Sequence, residues 1–336
     1  MTLTRRQWLF CAAASSLAAG GSAWCQAEAK MGITPSPVDE VWFDPQRQRK
    51  IPLRVRWPSE SWAMPASGRP VVLFSHGLGG TVAGGELWGQ AWSAAGCVVL
   101  HLQHPGSDLL AVRRQARDFG DRGGLRQAAG PEQLLARLQD VTFVLDELAR
   151  RHGASTGRWA EVRPQGVGMS GHSFGAHTTL GMAGQRYPGH PGFNESRLAA
   201  FIAFSPTLPA QGDAAQAFAR LTRPVLCLTG SRDDDVIGNG ATPDRRMGVF
   251  AALPAGQKAQ LVLENADHMT FAGQSGAAVE ILPRHTASRA LQPQHHAFVA
   301  ALTTDWWRAH LMNDAQALQR LAQPTGLAPG DRWQMG

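Results

Sequence analysis

The chain has few of the features that mark nucleotide-binding, metal-binding or disulfide-rich proteins. It contains four cysteines among 336 residues, and two of them lie in the first 29. No strand-like run leads into a Gly-x-x-x-x-Gly-Lys motif or a dinucleotide fingerprint. His101 and His104 are three residues apart on an extended segment, so alternation points them to opposite faces and opposes a shared metal ion. We therefore expect no metal and no cofactor.

Clustered positive charge is also missing, although the net charge is +6 and the isoelectric point is about 9.8. The most arginine-rich stretch interleaves its cations with carboxylates, namely Arg113, Arg114, Arg117, Arg122 and Arg126 with Asp108, Asp118 and Asp121. This pattern predicts a solvated cap rather than a nucleic-acid surface. We expect residues 107–129, rich in arginine and glycine, to form a mobile flap over a cleft.

An apolar run long enough to span a bilayer is absent from the N-terminus. Arg5 and Arg6 precede an alanine-rich apolar run that ends near Ala19, short of the roughly 20 residues that a span needs. Residues 1–29 resemble a twin-arginine export signal, which predicts a periplasmic or secreted protein without a stable membrane anchor. Cys25 raises the alternative of a lipoprotein, but Trp24 occupies a position that favours a small residue. Residues 30–336 are expected to form a single domain.

Strand-like and helix-like segments alternate through the rest of the chain. The strand-like runs are 52–57, 71–75, 97–102, 166–171, 199–204, 224–229 and 260–264. Residues 131–151 have apolar side chains at helical spacing, and residues 297–321 are expected to form terminal helices whose two tryptophans lie in the core. The alternation predicts an α/β fold with a mostly parallel sheet of about eight strands and helices on both faces.

A Gly-x-Ser-x-Gly pentapeptide, Gly171–Gly175, lies between one of these strand-like runs and a helix-compatible stretch. This context is typical of a nucleophile elbow, in which a serine occupies strained torsions and flanking glycines remove Cβ atoms that would clash. The turn exposes the Ser173 hydroxyl. It also directs the amide of Phe174 and the positive end of the next helix toward the place where an oxyanion would form.

Candidates for an acid and a base follow downstream. An apolar run at 225–229 leads into a glycine turn and Asp233, and a second run at 261–263 leads into a loop with His268. His268 would accept the serine proton, and Asp233 would orient the imidazole ring. Asp234 and Asp235 remain alternatives to Asp233. The order serine, acid, histidine is the one found in α/β-hydrolases.

Donors for an oxyanion are predicted near a glycine-rich turn that follows the strand-like run 71–75. Because glycines let the backbone approach a substrate, the amides of Leu78 and Phe174 could form the oxyanion hole. His76, His104 and His172 flank this region, and we expect them to shape the substrate site.

The motifs together resemble α/β-hydrolases of the dienelactone-hydrolase-related and platelet-activating-factor-acetylhydrolase-like branch. The matching segments are 74–79, 171–175, the acid loop at Asp233, the loop 266–271 and the turn 104–108, within about residues 41–321. Dienelactone hydrolase itself uses a cysteine, whereas this chain has Ser173. The resemblance therefore implies a serine-type carboxylic ester hydrolase, acting on a small-molecule or lipid ester, with a short acyl or acetyl group as the first expectation.

The same resemblance implies a strand order that separates Cys97 from Cys227 by about four strands. That is roughly 19 Å at about 4.8 Å per strand, whereas a disulfide needs Cα atoms within about 7 Å. Both thiols are expected to be free and buried. Three alternatives in function stay open: a phospholipase or polyester hydrolase, an amidase or peptidase, and a non-catalytic binding protein of the same fold.

Overall fold

The computed structural model describes residues 35–116, 121–154, 156–276 and 284–336, which form a mixed α/β structure around one sheet. The expected export signal, residues 1–29, lies outside the described residues. Nine strands form the sheet: β1 (Val38–Asp44), β2 (Arg49–Arg56), β3 (Val71–Ser75), β4 (Val98–Leu102), β5 (Val167–His172), β6 (Leu198–Phe204), β7 (Val225–Arg232), β8 (Lys258–Asp267) and β9 (Arg332–Met335).

The strands lie in the order β1-β2-β4-β3-β5-β6-β7-β8-β9. All neighbours from β4 to β8 pair in parallel, while β1, β2 and β9 pair antiparallel with their neighbours. Parallel strands need crossover connections, and helices supply most of them. Because the carboxyl ends of parallel strands meet at one edge, the loops after β3, β5, β7 and β8 converge there.

Nine helices are found among the described residues. They are α1 (Glu86–Ala94), α2 (Leu109–Gln115), α3 (Arg122–Ala128), α4 (Pro131–Ala154), α5 (Phe174–Ala183), α6 (Ala214–Phe218), α7 (Pro243–Ala252), α8 (Thr286–Leu311) and α9 (Ala315–Ala322). Short 3₁₀ turns cover Arg158–Glu161 and His268–Ala272. The region expected as a flap contains α2 and α3, and its residues 117–120 lie outside the described part of the chain.

Two apolar layers cover the sheet, one on each face. Val71 and Leu73 of β3 face the layer that holds α4 and α5, and Val72 and Phe74 face the layer that holds α1 and α8. This alternation follows from the two-residue period of a strand. Trp306 and Trp307 are buried in the second layer, which confirms their predicted place in the core.

The seven strands expected from the sequence are present, and β1 and β9 are additional. Both lie at edges of the sheet, where only one side of a strand gains hydrogen bonds and apolar alternation is weak. β9 is only four residues long and mostly exposed. It is held by pairing with β8 and by Trp333, whose indole donates to the carbonyl of Leu321 at 2.9 Å.

Cys97 and Cys227 are free and buried, as predicted. Cys97 directly precedes β4 and Cys227 lies in β7, four positions along the sheet. Burial raises the pKa of each thiol to about 12, so neither is a thiolate at neutral pH. Within the described ranges, no helix is both long and apolar enough to cross a membrane.

Candidate active site

A strained turn joins β5 to α5, and Ser173 lies at its tip. Ser173 has φ 56° and ψ −114°, a combination that side-chain-bearing residues rarely adopt. The flanking glycines leave no room for a Cβ atom. A Cβ on Gly175 would lie 1.9 Å from the carbonyl oxygen of Ser75, and one on Gly171 would lie 2.4 Å from that of Gly175. The sequence therefore folds as the elbow that its glycines predict.

The elbow presents the serine to a cavity at the carboxyl edge of the sheet. Ser173 is half-buried and lines this cavity, whose volume is about 1080 Å³. Phe174 is the first residue of α5, so its amide has no acceptor within the helix. The positive end of the helix dipole and this amide both lie beside the serine hydroxyl.

His268 and Asp233 form a buried hydrogen-bonded pair. Nδ1 of His268 donates to Oδ1 of Asp233 at 2.7 Å, and Thr229 donates its hydroxyl to Oδ2 at 2.9 Å. A proton on Nδ1 leaves Nε2 as the acceptor nitrogen of a neutral ring. The pair therefore holds the imidazole in the tautomer that a general base requires.

Arg246 provides the positive charge that keeps Asp233 ionised. Burial alone would raise the pKa of this carboxyl, but Arg246 and the bond from His268 outweigh burial and lower the pKa below its usual value. Nε of Arg246 lies 2.9 Å from Oδ1, and its Nη1 donates to the carbonyl of Ser205 at 2.6 Å. Because both partners are buried, little solvent screens this ion pair.

The two alternative acids point elsewhere. Asp234 is exposed and lines a separate small pocket with Arg232 and His285. Asp235 accepts hydrogen bonds from the backbone amides of Ile237, Gly238, Asn239 and Gly240 at 2.7–3.2 Å, so its carboxylate folds its own loop. Of the three aspartates, the structure brings only Asp233 to His268.

Ser173 and His268 line the same cavity. Among the described residues no hydrogen bond joins the serine hydroxyl to the imidazole, and such bonds often tighten only when substrate binds. The ring of His268 lies 4.6 Å from that of His172, whose Nε2 donates to the carbonyl of His268 at 3.0 Å. His172 thus fixes the backbone that carries the proposed base.

The predicted oxyanion loop follows β3 and lies against the elbow. A Cβ on Gly77 would lie 3.5 Å from that of Ser173, which shows how close the loop comes to the serine. The Leu78 amide has no hydrogen-bond partner among the described residues. It shares a peptide unit with the carbonyl of Gly77, which accepts from Nδ1 of His76 at 2.5 Å. Since a trans peptide directs its N–H and C=O oppositely, His76 orients the Leu78 amide.

Arg137 of α4 completes the support of this loop from inside the protein. It is fully buried, and burial lowers its pKa to about 9. Its Nη1 donates to the carbonyl of His76 at 2.6 Å, and its Nε donates to the hydroxyl of Ser107 at 2.7 Å. The guanidinium also lies 4.3 Å from the ring centre of Phe174. One buried cation therefore contacts both segments that carry the proposed oxyanion donors.

A second Ser-His-Asp arrangement lies beneath the first. His104 donates from Nδ1 to Oδ2 of Asp140 at 3.0 Å, and Ser75 donates its hydroxyl to Nε2 at 2.9 Å. All three residues are completely buried, so no substrate reaches this serine. His104 does not line the cavity. Its predicted role in contacting substrate does not fit this placement, because both ring nitrogens are bonded inside the core.

Of the other two histidines expected to shape the site, both His76 and His172 line the cavity. Their rings are almost entirely buried. Burial lowers the pKa of each well below the usual value, and the charge of Arg137 adds to this effect at His76. Both rings are therefore neutral wall and positioning groups.

The segment expected to be a flap, residues 107–129, contributes side chains to the wall of the cavity. Val112, Ala116, Leu125 and Ala128 of this segment form a small apolar cluster that packs against Leu78 and Ile237. The cluster touches the oxyanion loop on one side and the loop after Asp233 on the other. The cap is therefore built onto the two loops that shape the site.

No group of three or more residues with metal-ligating side chains is found within the described ranges. A scan of the chain against protein-family models finds no match, and a search of curated proteins finds no significantly similar relative.

Several residues that build the site were missed by the sequence analysis. Arg246 lies 13 residues after Asp233, and Arg137 lies about 60 residues after the loop that it holds. Arg137 falls on the face of α4 that the apolar spacing predicts to be buried. An arginine on that face was the available signal.

The elbow generates the first prediction. Gly175→Ala should prevent stable folding, because its Cβ would overlap the Ser75 carbonyl and neither backbone segment can move without displacing the sheet. Yield of soluble protein and the urea midpoint measure this effect. Gly153→Ala is the matched control, because nothing lies within 4 Å of its Cβ and alanine favours a helix by about 1 kcal/mol. A Gly175→Ala protein as stable as the wild type would contradict the elbow geometry.

Acid sensitivity is the second prediction. Burial lowers the pKa of His101 to about 3 and those of His104 and His177 to about 4, from an unfolded value near 6.5. Between these values the unfolded chain binds protons while the native rings stay neutral. The free energy of unfolding therefore decreases as the pH is lowered below about 6.5, and it is level above that value. Urea midpoints measured from pH 4.5 to 8 test this.

A control variant isolates one ring. His101→Phe should reduce the slope of stability against pH below 6.5, whereas substitution of the exposed His152 by Gln should leave it unchanged. Equal midpoints for the wild type at pH 5 and pH 7 would contradict the prediction.

Proposed function

We propose that this chain is a serine hydrolase of the α/β-hydrolase fold that cleaves a carboxylic ester through an acyl-enzyme. One observation carries the proposal: a serine held at φ 56° lines the same cavity as a histidine bonded to a buried carboxylate. In most proteins, serine, acid and histidine residues in loops follow no particular order along the chain. Here the serine, acid and histidine follow β5, β7 and β8 in the chain order of α/β-hydrolases.

In the proposed reaction, Oγ of Ser173 attacks the ester carbonyl carbon while Nε2 of His268 takes the hydroxyl proton. Asp233 holds the Nδ1 proton and stabilises the imidazolium that forms. The proton then passes to the departing alkoxide, which leaves as an alcohol. Water, activated by the same histidine, hydrolyses the acyl-enzyme and restores the serine.

We assign the backbone amides of Leu78 and Phe174 as the hydrogen-bond donors to the negative oxygen of the tetrahedral intermediate. Supporting this assignment, Phe174 begins a helix, and the Gly77–Leu78 peptide is oriented by His76. Donors that are fixed in advance need no rearrangement during the reaction, and each typically contributes about 3 kcal/mol. We also propose export from the cytoplasm, on the basis of the twin-arginine segment alone.

The third prediction tests the nucleophile. Ser173→Ala should abolish hydrolysis of p-nitrophenyl esters and labelling by a fluorophosphonate probe, because the alanine has no oxygen to acylate. Circular dichroism should be unchanged. Ser75→Ala is the comparison. That serine belongs to the buried set and should not be the labelled residue, so this variant should still be labelled by the probe. Mass spectrometry of the labelled wild type should find the adduct on Ser173. An unlabelled, inactive wild-type protein would indicate a binding protein of the same fold.

The fourth prediction identifies the acid. Asp233→Asn should lower kcat for ester hydrolysis by about 10,000-fold, because an amide stabilises the wrong imidazole tautomer. The neighbouring Asp234→Asn should stay within about twofold of the wild type, since Asp234 is exposed and does not line the cavity that holds Ser173 and His268. Comparable losses in both variants would show that the acid has been misassigned.

A further inference from the structure

The cavity beside Ser173 is much larger than a short acyl group needs. Its volume of about 1080 Å³ is at the upper end of the range for sites that hold drug-sized ligands. Most of its wall is apolar. An acetyl group bonded to Ser173 would fill a small part of it and would not gain the binding free energy that covering the remaining apolar wall provides.

The topology decides which part of an ester occupies that space. His268 follows β8, on one side of β5 in the sheet, whereas α2 and α4 follow β4, on the other side. The cap helix α3 reaches from α2 to the loop after β7, where Arg126 donates to the carbonyl of Gly238. In the proposed reaction His268 gives its proton to the leaving oxygen, so the alcohol must depart toward the β8 side. The acyl group is thereby directed to the side of α2 and α4.

The wall on that side is formed mainly by aliphatic side chains. The cap contributes Leu109, Val112, Ala116 and Leu125, and α4 contributes Leu134, Leu135 and Leu138. The charged residues of this wall, Arg113 and Glu132, are exposed and lie at the rim. Arg137 is kept behind Phe174 by its bonds to the oxyanion loop. The inner wall therefore presents no unpaired charge to the acyl group.

We propose that the acyl group of the substrate is a medium or long aliphatic chain that lies between the cap helices α2 and α3 and the first turns of α4. The proposal rests on the proposed function and replaces its first expectation of a short acyl group. Val112 of α2 and Leu134 of α4 are the specificity-determining residues, because both line the cavity on the side to which the acyl group is directed.

A series of p-nitrophenyl esters from acetate to dodecanoate tests the proposal on the wild-type protein, at concentrations below micelle formation. Each methylene that enters the apolar wall should raise kcat/KM about threefold, because its burial stabilises ground state and transition state alike. Octanoate should therefore exceed acetate by about 30-fold if three of its six additional methylenes enter the wall, and by about 700-fold if all six do. A maximum at acetate, or a flat series, would overturn the proposal.

A second series separates the acyl side from the alcohol side. Acetate esters of alcohols of increasing length should gain little, because the alcohol lies on the β8 side. A gain in this series equal to that in the acyl series would overturn the acyl assignment. So would a preference for p-nitrophenyl benzoate over octanoate, because that outcome indicates an aromatic acyl group.

Variants with larger side chains in the cavity wall test whether these residues contact the acyl chain. Val112 and Ala129, the residue after α3, both line the cavity, so Val112→Phe and Ala129→Phe should each place a ring there and lower the octanoate-to-acetate ratio of kcat/KM by about tenfold. Val41→Phe makes the same change as Val112→Phe at an exposed position of edge strand β1 and should keep the wild-type ratio. An unchanged ratio in folded Val112→Phe and Ala129→Phe proteins would overturn the placement of the chain.

Failure of this proposal is distinguishable from failure of the proposed function. If acetate is the best substrate and Ser173 is labelled by fluorophosphonate, the hydrolase stands and the aliphatic acyl site is rejected. If no ester of either series is cleaved and Ser173 is not labelled, both are rejected.

Discussion

The close contact between Gly175 and the end of β3 is the constraint on which the site depends. With no Cβ at Gly175, α5 can start against the Ser75 carbonyl, directly after the strained turn at Ser173. The same contact brings the loop after β3 next to the serine. A single steric condition thus places the proposed nucleophile and both proposed oxyanion donors within one small volume.

Electrostatics at the site are arranged in two buried layers. In the upper layer, Arg246 keeps Asp233 ionised, and Asp233 holds the tautomer of His268. In the lower layer, Arg49 and His104 bond to Asp140, and burial raises the cost of leaving any of these charges unpaired. Asp140 has its pKa lowered to about 2, because these partners outweigh the effect of burial. The lower layer supports the oxyanion loop but has no access to substrate.

Exposure separates the two Ser-His-Asp sets, although in both of them Nδ1 of the histidine donates to a buried carboxylate. Ser75, at the end of β3, has ordinary backbone torsions and no exposed surface, whereas Ser173 has a strained backbone and opens onto the cavity. A buried serine bonded to histidine fixes the position of a strand end. An accessible serine beside a histidine can react. The same three residue types thus serve structure in one place and proposed chemistry in the other.

The sequence alone determined the α/β alternation, seven of the nine strands and the elbow, because these depend on local periodicity and on glycines at fixed spacing. It also indicated that Asp233 and His268 each follow a strand, because each comes after an apolar strand-like run, and these runs are β7 and β8. Tertiary structure alone decided that Asp233, rather than Asp234 or Asp235, meets the histidine. It also decided the roles of Arg137, Arg246 and His104 and the size of the cavity. Those features are contacts between segments far apart in the chain, and local patterns carry no information about which distant side chains will meet.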